Sequence, residues 1–333
     1  MKKFINDPTN VVQDYLIGLA GAHHDILHFD QRNRILVRSG APIAGKVGLV
    51  AGGGSGCEPT HTGFVGPGML DAVAPGEIFT SPNPDQIIAA TRAANGGAGV
   101  LHVIKNFTGE VMNFGMAEEI LSFDDIALES VLINDDVAVK DSPDTAGRRG
   151  LGATVLVERI AGAAAERRDN LQSVATIARA VVKRARTFGV GLSSCTPPSR
   201  GKPIFDQPDD EMDLGIGISG EPGRERVRMK SAREIAQMLV AEVMGDLNPP
   251  KGAKLLSLVN GMGGTPHQEL YLLNGEINRA LGQMGFEPSR TLVGNFVTSL
   301  EQQGAALTLL DASDEMLALW DSPVHTAALR WGM

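Results

Sequence analysis

Short runs rich in Val, Ile and Leu alternate with longer stretches of helix-forming residues along this 333-residue chain, and that alternation restricts its fold more than any other feature. Strands covered by helices on both faces read as almost continuous apolar runs, so the pattern predicts an α/β fold with buried, largely parallel strands. In the first half, strands are expected over 46–51, 99–105 and 125–134. Asn83-Pro84-Asp85-Gln86 offers an N-cap, a proline at the first helical position and a glutamine at the third, which predicts a helix to about Asn95. Another helix is expected over 109–123. Residues 154–187 are nearly all helix formers, interrupted at Arg168-Asp169-Asn170, as in a helical pair that closes a domain. The second half repeats the style, with strands expected over 189–195, 214–219, 254–260, 291–297 and 305–310. Ser231-Ala232-Arg233-Glu234 forms a capping box for a helix ending near Gly245, and the Pro- and Asp-rich stretch 197–210 reads as an exposed loop. The length favours two domains, 1–188 and 189–333, each with a central sheet flanked by helices.

Composition narrows the classes of function. A net charge of −9 gives no broad surface for a polyanion, so no nucleic acid partner is expected. No apolar run approaches the roughly 20 residues that cross a bilayer, and the polar start leads into no signal-peptide core. A cytoplasmic protein with no membrane partner is the expectation. Two cysteines, Cys57 and Cys195, make neither a disulfide framework nor a Cys-rich metal pattern, so no metal site is expected.

Three segments carry candidate chemistry. Ala51-Gly-Gly-Gly-Ser-Gly-Cys-Glu-Pro-Thr-His61 follows an apolar strand directly, and its glycines let the backbone turn sharply and approach a ligand. It lacks the Gly-Lys-Ser/Thr of a P-loop and the Gly-x-Gly-x-x-Gly of a dinucleotide fold, so no nucleotide is expected on it. Gly54, Ser55, Gly56 and His61 are candidate ligand contacts. The second segment, 103–110, ends a strand in Lys105, Asn106 and Thr108 just as a helix begins with Glu110. Lys105 can donate to a ligand oxygen and Glu110 can act as a base toward a hydroxyl, although a carboxylate there also serves the helix dipole. The third, 215–223, places Ser219 in a glycine-flanked turn, but Glu221 stands where a nucleophile elbow needs glycine. None of the seven histidines has zinc-protease spacing. His23 and His24 read as solvated, His325 as packing near the terminus, and the run Arg224, Arg226, Arg228, Lys230 as a solvated loop or partner contact.

Several long blocks, in order, resemble one family. They include Gly52-Gly-Gly-Ser-Gly56, Pro75-Gly-Glu-Ile-Phe-Thr-Ser-Pro82, Ile104-Lys-Asn-Phe-Thr-Gly109, Asp135-Asp-Val-Ala-Val-Lys-Asp141, Thr145-Ala-Gly-Arg-Arg-Gly150, Gly220-Glu-Pro-Gly223 and Ala318-Leu-Trp-Asp321. Together these are similar to the ketone-binding (DhaK) subunits of the dihydroxyacetone kinase family over essentially the whole chain. The resemblance implies a homodimer of two-domain α/β subunits that holds a short ketose, with ATP or ADP and magnesium on a separate helical, DhaL-like subunit and no cofactor in this chain. It also implies a covalent hemiaminal to a histidine preceding Gly-Glu-Pro-Gly, where this chain has Ser219. A second histidine and an aspartate of the family fall at Cys57 and Glu110. Serine cannot make the carbon–nitrogen bond, a thiol near its ordinary pKa of about 8.5 replaces imidazole poorly, and Glu110 moves the carboxylate by a methylene. Ser81 and Lys105 retain the small-ligand pocket of the family. Three functions stay open: a substrate-binding kinase subunit that holds a short carbonyl or polyol compound without an adduct, a non-catalytic metabolite sensor or coregulator, and an independent isomerase, lyase or hydrolase using Cys57 and Glu110. The last requires the turn's N–H groups to lower the Cys57 pKa.

Overall fold

The computed structural model describes residues 2–139, 146–221 and 223–333. Of the blocks quoted above, Lys140, Asp141, Thr145 and Pro222 lie outside the described residues. After helix α1 (Val11–Ala22), a hairpin of β1 (Leu27–Asp30) and β2 (Ile35–Arg38) leads into β3 (Gly48–Ser55) and β4 (Ala72–Ile78). Helix α2 (Pro84–Ala94), β5 (Val100–Lys105), α3 (Thr108–Leu121) and β6 (Leu128–Ile133) complete the first sheet, whose order is β1-β2-β4-β3-β5-β6. Its β4, β3, β5 and β6 are mutually parallel. Seven of the eight β3 residues are buried, as expected of a strand covered on both faces. The Asn83 capping box forms: its side chain accepts from the Gln86 N–H at 2.9 Å and Gln86 returns the bond at 3.2 Å.

Helices α4 (Ala153–Glu166) and α5 (Leu171–Arg184) form the expected pair, and the second sheet then starts with β7 (Ala185–Gly191). The expected 188/189 division falls inside that strand. There follow β8 (Glu211–Leu214), β9 (Glu225–Arg228), α6 (Ala232–Leu247), β10 (Lys254–Gly261), α7 (His267–Gln283), β11 (Pro288–Gly294), β12 (Gly304–Ala312) and α8 (Asp314–Asp321), with a small terminal hairpin of β13 (Val324–His325) and β14 (Arg330–Trp331). The second sheet has the order β11-β10-β12-β7-β8-β9, and apart from the parallel β10–β11 pair its neighbours are antiparallel.

In the second half the strands expected over 189–195 and 291–297 run three to four residues earlier, as Ala185–Gly191 and Pro288–Gly294, and a third departure is more instructive. The strand expected over 214–219 ends at Leu214, because Gly215 turns with φ +71° and the Arg224 N–H returns to the Leu214 carbonyl at 2.7 Å. The basic run expected as a loop begins a short edge strand, β9, with Arg226 bonded to Asp213 at 2.8 Å. Residues 215–219, including the candidate serine, therefore form a loop beside the first sheet's glycine turn. Helix α4 is buried along 153–165 and packs against strands of both sheets, so the main apolar core is continuous between the two halves. Its two internal charges, Glu158 and Arg159, must then find partners. Arg159 does so on the carbonyls of Gly68, Trp320 and Ser322.

Candidate ligand-binding site

The chain leaves β3 for β4 on one side and returns to β5 on the other, so the carboxyl end of β3 is a switch point, where parallel sheets open a crevice for ligands. Gly53 occupies that end. A Cβ built on it would lie 2.6 Å from Lys105 Nζ and 3.2 Å from both Glu110 Oε1 and His61 Nε2. Three polar atoms from the end of β5, the first turn of α3 and the turn after β3 thus gather beside Gly53, so close that a side chain at 53 would collide with Lys105. Lys105 and Glu110 are buried, and their Nζ–Oε1 separation of 3.8 Å is an ion pair but too long for a hydrogen bond. Next along the chain, Gly56 adopts φ +99° and aims its N–H at both Glu58 carboxylate oxygens, 2.9 and 3.1 Å away.

His61 and Glu158 form a buried pair through Nδ1 and Oε1. Burial, with the Lys105 charge added, holds His61 well below the usual imidazole range, and burial pushes the Glu158 carboxyl well above its own. Among the described residues, the second atoms of both groups, Nε2 and Oε2, have no hydrogen-bond partner.

Cys57 and the Ser219 loop meet across the two halves. The buried Cys57 Sγ donates to the Ile218 carbonyl at 3.3 Å, one residue before Ser219. Burial raises its thiol to about 12, with the nearby Lys105 charge only partly opposing it. This corrects the expectation of a turn that lowers the pKa: the sulfur faces a carbonyl, and the segment that follows is a short 3-10 turn (Thr62–Phe64) rather than an α-helix. Half-buried Ser219 gives its N–H to Glu221 Oε2 at 2.8 Å, and Glu221 accepts from Arg149 at 3.1 Å. Arg149 in turn bonds Asp136 at 2.6 Å.

The other candidates lie around this centre. Gly54 is pressed under the Phe79–Thr80 backbone, and buried Ser55 donates its hydroxyl to Gly76 at 2.7 Å. Ser81 sits against Gly109 at the start of α3 and accepts from Asn113 at 3.3 Å. His325 lies in the terminal hairpin, while His23 and His24 follow α1. Two contributors escaped the sequence reading. Glu158 is one. The other is the segment 298–300, whose Thr298 and Leu300 N–H groups bond the Cys57 and Gly56 carbonyls at 3.2 and 2.7 Å and so brace the glycine turn from the second half.

Among known proteins, the dihydroxyacetone-binding DhaK subunit of a PEP-dependent dihydroxyacetone kinase from Escherichia coli (strain K12) is 43% identical, with all of both chains covered. A solved dihydroxyacetone kinase operon co-activator superposes with a TM-score of 0.89 at 30% identity, covering 95% of this chain and 97% of its own. The solved dihydroxyacetone kinase of C. freundii with AMP-PNP and Mg2+ gives 0.90 at 30% identity, covering 98% of this chain but 60% of that longer one. The Dak1 domain profile matches residues 17–328, and by the extent of these matches the chain belongs to the Dak1-domain family.

Proposed function

We propose that this chain is the substrate-binding subunit of a dihydroxyacetone-kinase-type phosphotransferase, holding a short hydroxylated carbonyl or polyol compound without a covalent bond and presenting it to a separate nucleotide-bearing subunit. The observation that carries this reading is the gathering of Lys105 Nζ, Glu110 Oε1 and His61 Nε2 beside Gly53 at the carboxyl end of β3. A ligand oxygen there accepts from Lys105, while a neighbouring hydroxyl is placed to give its proton to Glu110 as its oxygen bonds the incoming phosphorus and the phosphorus–leaving-group bond breaks. Ser219 and Ser81 supply further hydrogen bonds at the rim. An alcohol at 219 and a thiol at 57 provide no imidazole for a hemiaminal, so the complex is reversible and leaves no reducible adduct. ATP or ADP with magnesium belongs to the partner; the C. freundii chain that binds AMP-PNP and Mg2+ extends well beyond the part matched here. The chain acts as a homodimer in the cytoplasm; among the described residues no helix is long and apolar enough to cross a membrane.

A second reading, a metabolite-responsive coregulator, draws support from the likeness to the operon co-activator over nearly all of both chains. The independent thiol enzyme is disfavoured by the buried, protonated Cys57. The test is a thermal-shift screen of the purified chain against dihydroxyacetone, erythrulose, other short ketoses and polyols, with intact mass after borohydride and phosphotransfer assayed with a DhaL-type subunit. A melting shift, unchanged mass and phosphorylated product are expected. A shift with no product under any phosphoryl donor favours the coregulator, and a reducible adduct refutes non-covalent binding.

A further inference from the structure

We infer that Glu158 fixes the tautomer of His61 so that its Nε2–H donates to a ligand oxygen beside Gly53, which makes this buried pair a specificity-determining contact of the pocket. The inference rests on the proposed ligand pocket and names a contact that the substitutions at 57 and 219 leave in place.

The argument starts from α4, which is buried all round and yet carries a carboxylate at 158. Oε1 of that carboxylate meets His61 Nδ1, whereas Oε2 has no donor among the described residues. An ionised carboxylate with one oxygen left bare in a dry interior is costly, but the carbonyl oxygen of a protonated carboxyl tolerates it far better. The proton then lies on Oε1 and is donated to Nδ1. Using the Nδ1 lone pair this way leaves the ring hydrogen on Nε2. The raised Glu158 and depressed His61 ranges agree with that placement, since both groups are held neutral.

Nε2 is itself buried and makes no hydrogen bond among the described residues, although it points at the place where Lys105 and Glu110 also converge. Other buried side-chain atoms also lack a partner there, and what sets Nε2 apart is that it faces a cation and a carboxylate at the end of a parallel strand. With Nε2–H and Lys105 as donors on one side and Glu110 as acceptor on the other, the point beside Gly53 suits an oxygen that accepts two hydrogen bonds, next to a hydroxyl that gives one. A ketone or hydroxyl oxygen meets that demand, whereas an ammonium group would face two donors. The pocket therefore discriminates by donor count as well as by size.

The experiment uses 15N-histidine NMR on the whole chain, alone and with dihydroxyacetone or L- or D-erythrulose, because ring-nitrogen shifts separate a protonated nitrogen from a bare one. We expect a protonated Nε2 and a bare Nδ1 at His61 in the free protein, and a displaced Nε2 resonance with any probe that raises the melting temperature. Glu158→Gln keeps the pattern, since its amide still donates to Nδ1; Glu158→Leu loses it. His61→Leu binds the same probe roughly 10- to 100-fold more weakly at an unchanged far-ultraviolet spectrum, and His61→Gln recovers part of the loss. A bare Nε2 in the free protein overturns the inference without reference to any ligand, as does a bound probe that leaves Nε2 unmoved. If no ketose or polyol binds, the proposed substrate class fails instead, and the tautomer still decides whether Glu158 sets His61 as a donor.

Discussion

Helix α4 delivers one carboxylate to each end of the same parallel strands, and the two ends treat it differently. At the amino ends, Glu166 joins Arg38, Lys46 and Asp71 in a closed network: Asp71 accepts from Lys46 at 2.5 Å, from Arg38 at 3.2 Å and from the Leu49 N–H at 2.9 Å, while Glu166 takes Arg38 and the Gly68 N–H. Eight residues earlier on the helix, about 12 Å away, Glu158 faces the carboxyl ends, where His61 Nε2 and Glu158 Oε2 have no hydrogen-bond partner among the described residues and Lys105 Nζ stands 3.8 Å from Glu110 Oε1, beyond bonding distance. Asp71, Lys46 and Arg38 are as buried as His61, Glu158, Lys105 and Glu110, so burial alone does not mark a site. What differs is that both oxygens of the buried Asp71 take donors from within the chain, whereas Lys105, Glu110 and His61 turn polar atoms toward one place beside Gly53.

The contrast breaks most severely at Asp71. Asp71→Ala leaves Lys46 and Arg38 only the part-exposed Glu166 as counter-charge, and a loss of about 3–5 kcal/mol in unfolding free energy is expected by urea titration. Ligand affinity of the folded fraction should stay near wild type. Lys105→Met should do the converse. It leaves Glu110 without its cation but breaks no hydrogen bond between the two, so the urea midpoint falls by less than in Asp71→Ala, while binding of whichever ketose shifts the wild-type melting temperature weakens roughly 10- to 100-fold by calorimetry. Equal stability losses in the two variants would erase the distinction between the clusters.

Much of this arrangement was legible beforehand, and the gaps have physical causes. The strands β3 and β5 and the caps of α2 and α6 depend on local patterns, apolar runs and reciprocal Asn–Gln or Ser–Glu bonds, so the sequence encodes them within a few residues. Lys105 and Glu110 are recognisable as strand-end polar groups for the same reason, whereas Gly53 lies one residue before the contacts expected at 54–56, since which glycine faces the polar atoms depends on packing. Glu158 was not, because a charged pair inside an Ala- and Val-rich stretch looks like the solvated stripe of an amphipathic helix until α4 is seen to be buried on every side. Its oddity, Glu-Arg amid thirteen buried positions, is the signal that was available. The bracing of the glycine turn by 298–300 joins residues more than 240 apart, and no local pattern specifies that. Cys57 shows the limit most clearly: the same glycine-rich turn would lower a thiol's pKa if N–H groups met an exposed sulfur and raises it when burial strips the sulfur of water, and that burial depends on long-range packing that includes the Ile218 segment.

The junction between the two halves should respond to pH. Burial raises Asp136 to about 6, against the Arg149 charge that favours ionisation and with Asp135 opposing it. In the unfolded chain this group ionises near 3.8, so between about pH 4 and 6 the folded state binds more protons. The contribution of Asp136 to stability therefore falls as pH rises through that window and is level above it. Asp136→Asn removes the titration, and the difference in unfolding free energy between wild type and variant should change by on the order of 1–3 kcal/mol from pH 4 to 6.5. A constant difference would show that Arg149 holds Asp136 ionised throughout, and that the Asp136–Arg149–Glu221 chain behaves like the closed network at the amino ends.

The smallest effect is expected at Cys57, and it probes whether the 57–219 contact is structural or reactive. Its sulfur is buried, donates to Ile218, and has its thiol raised to about 12. Thiolate is the alkylating nucleophile, and at pH 8 a thiol of that pKa is ionised in roughly one molecule in ten thousand. Cys195 is buried with its thiol raised as well. The folded chain should accordingly gain no mass from iodoacetamide at pH 8 over an hour, and two adducts once unfolded in urea. Cys57→Ser keeps a donor for Ile218 and should leave ketose binding within a few-fold of wild type. Rapid labelling at Cys57 in the folded protein would mean that the thiol is ionised and exposed, and would return the independent thiol enzyme to contention over a pocket that only binds.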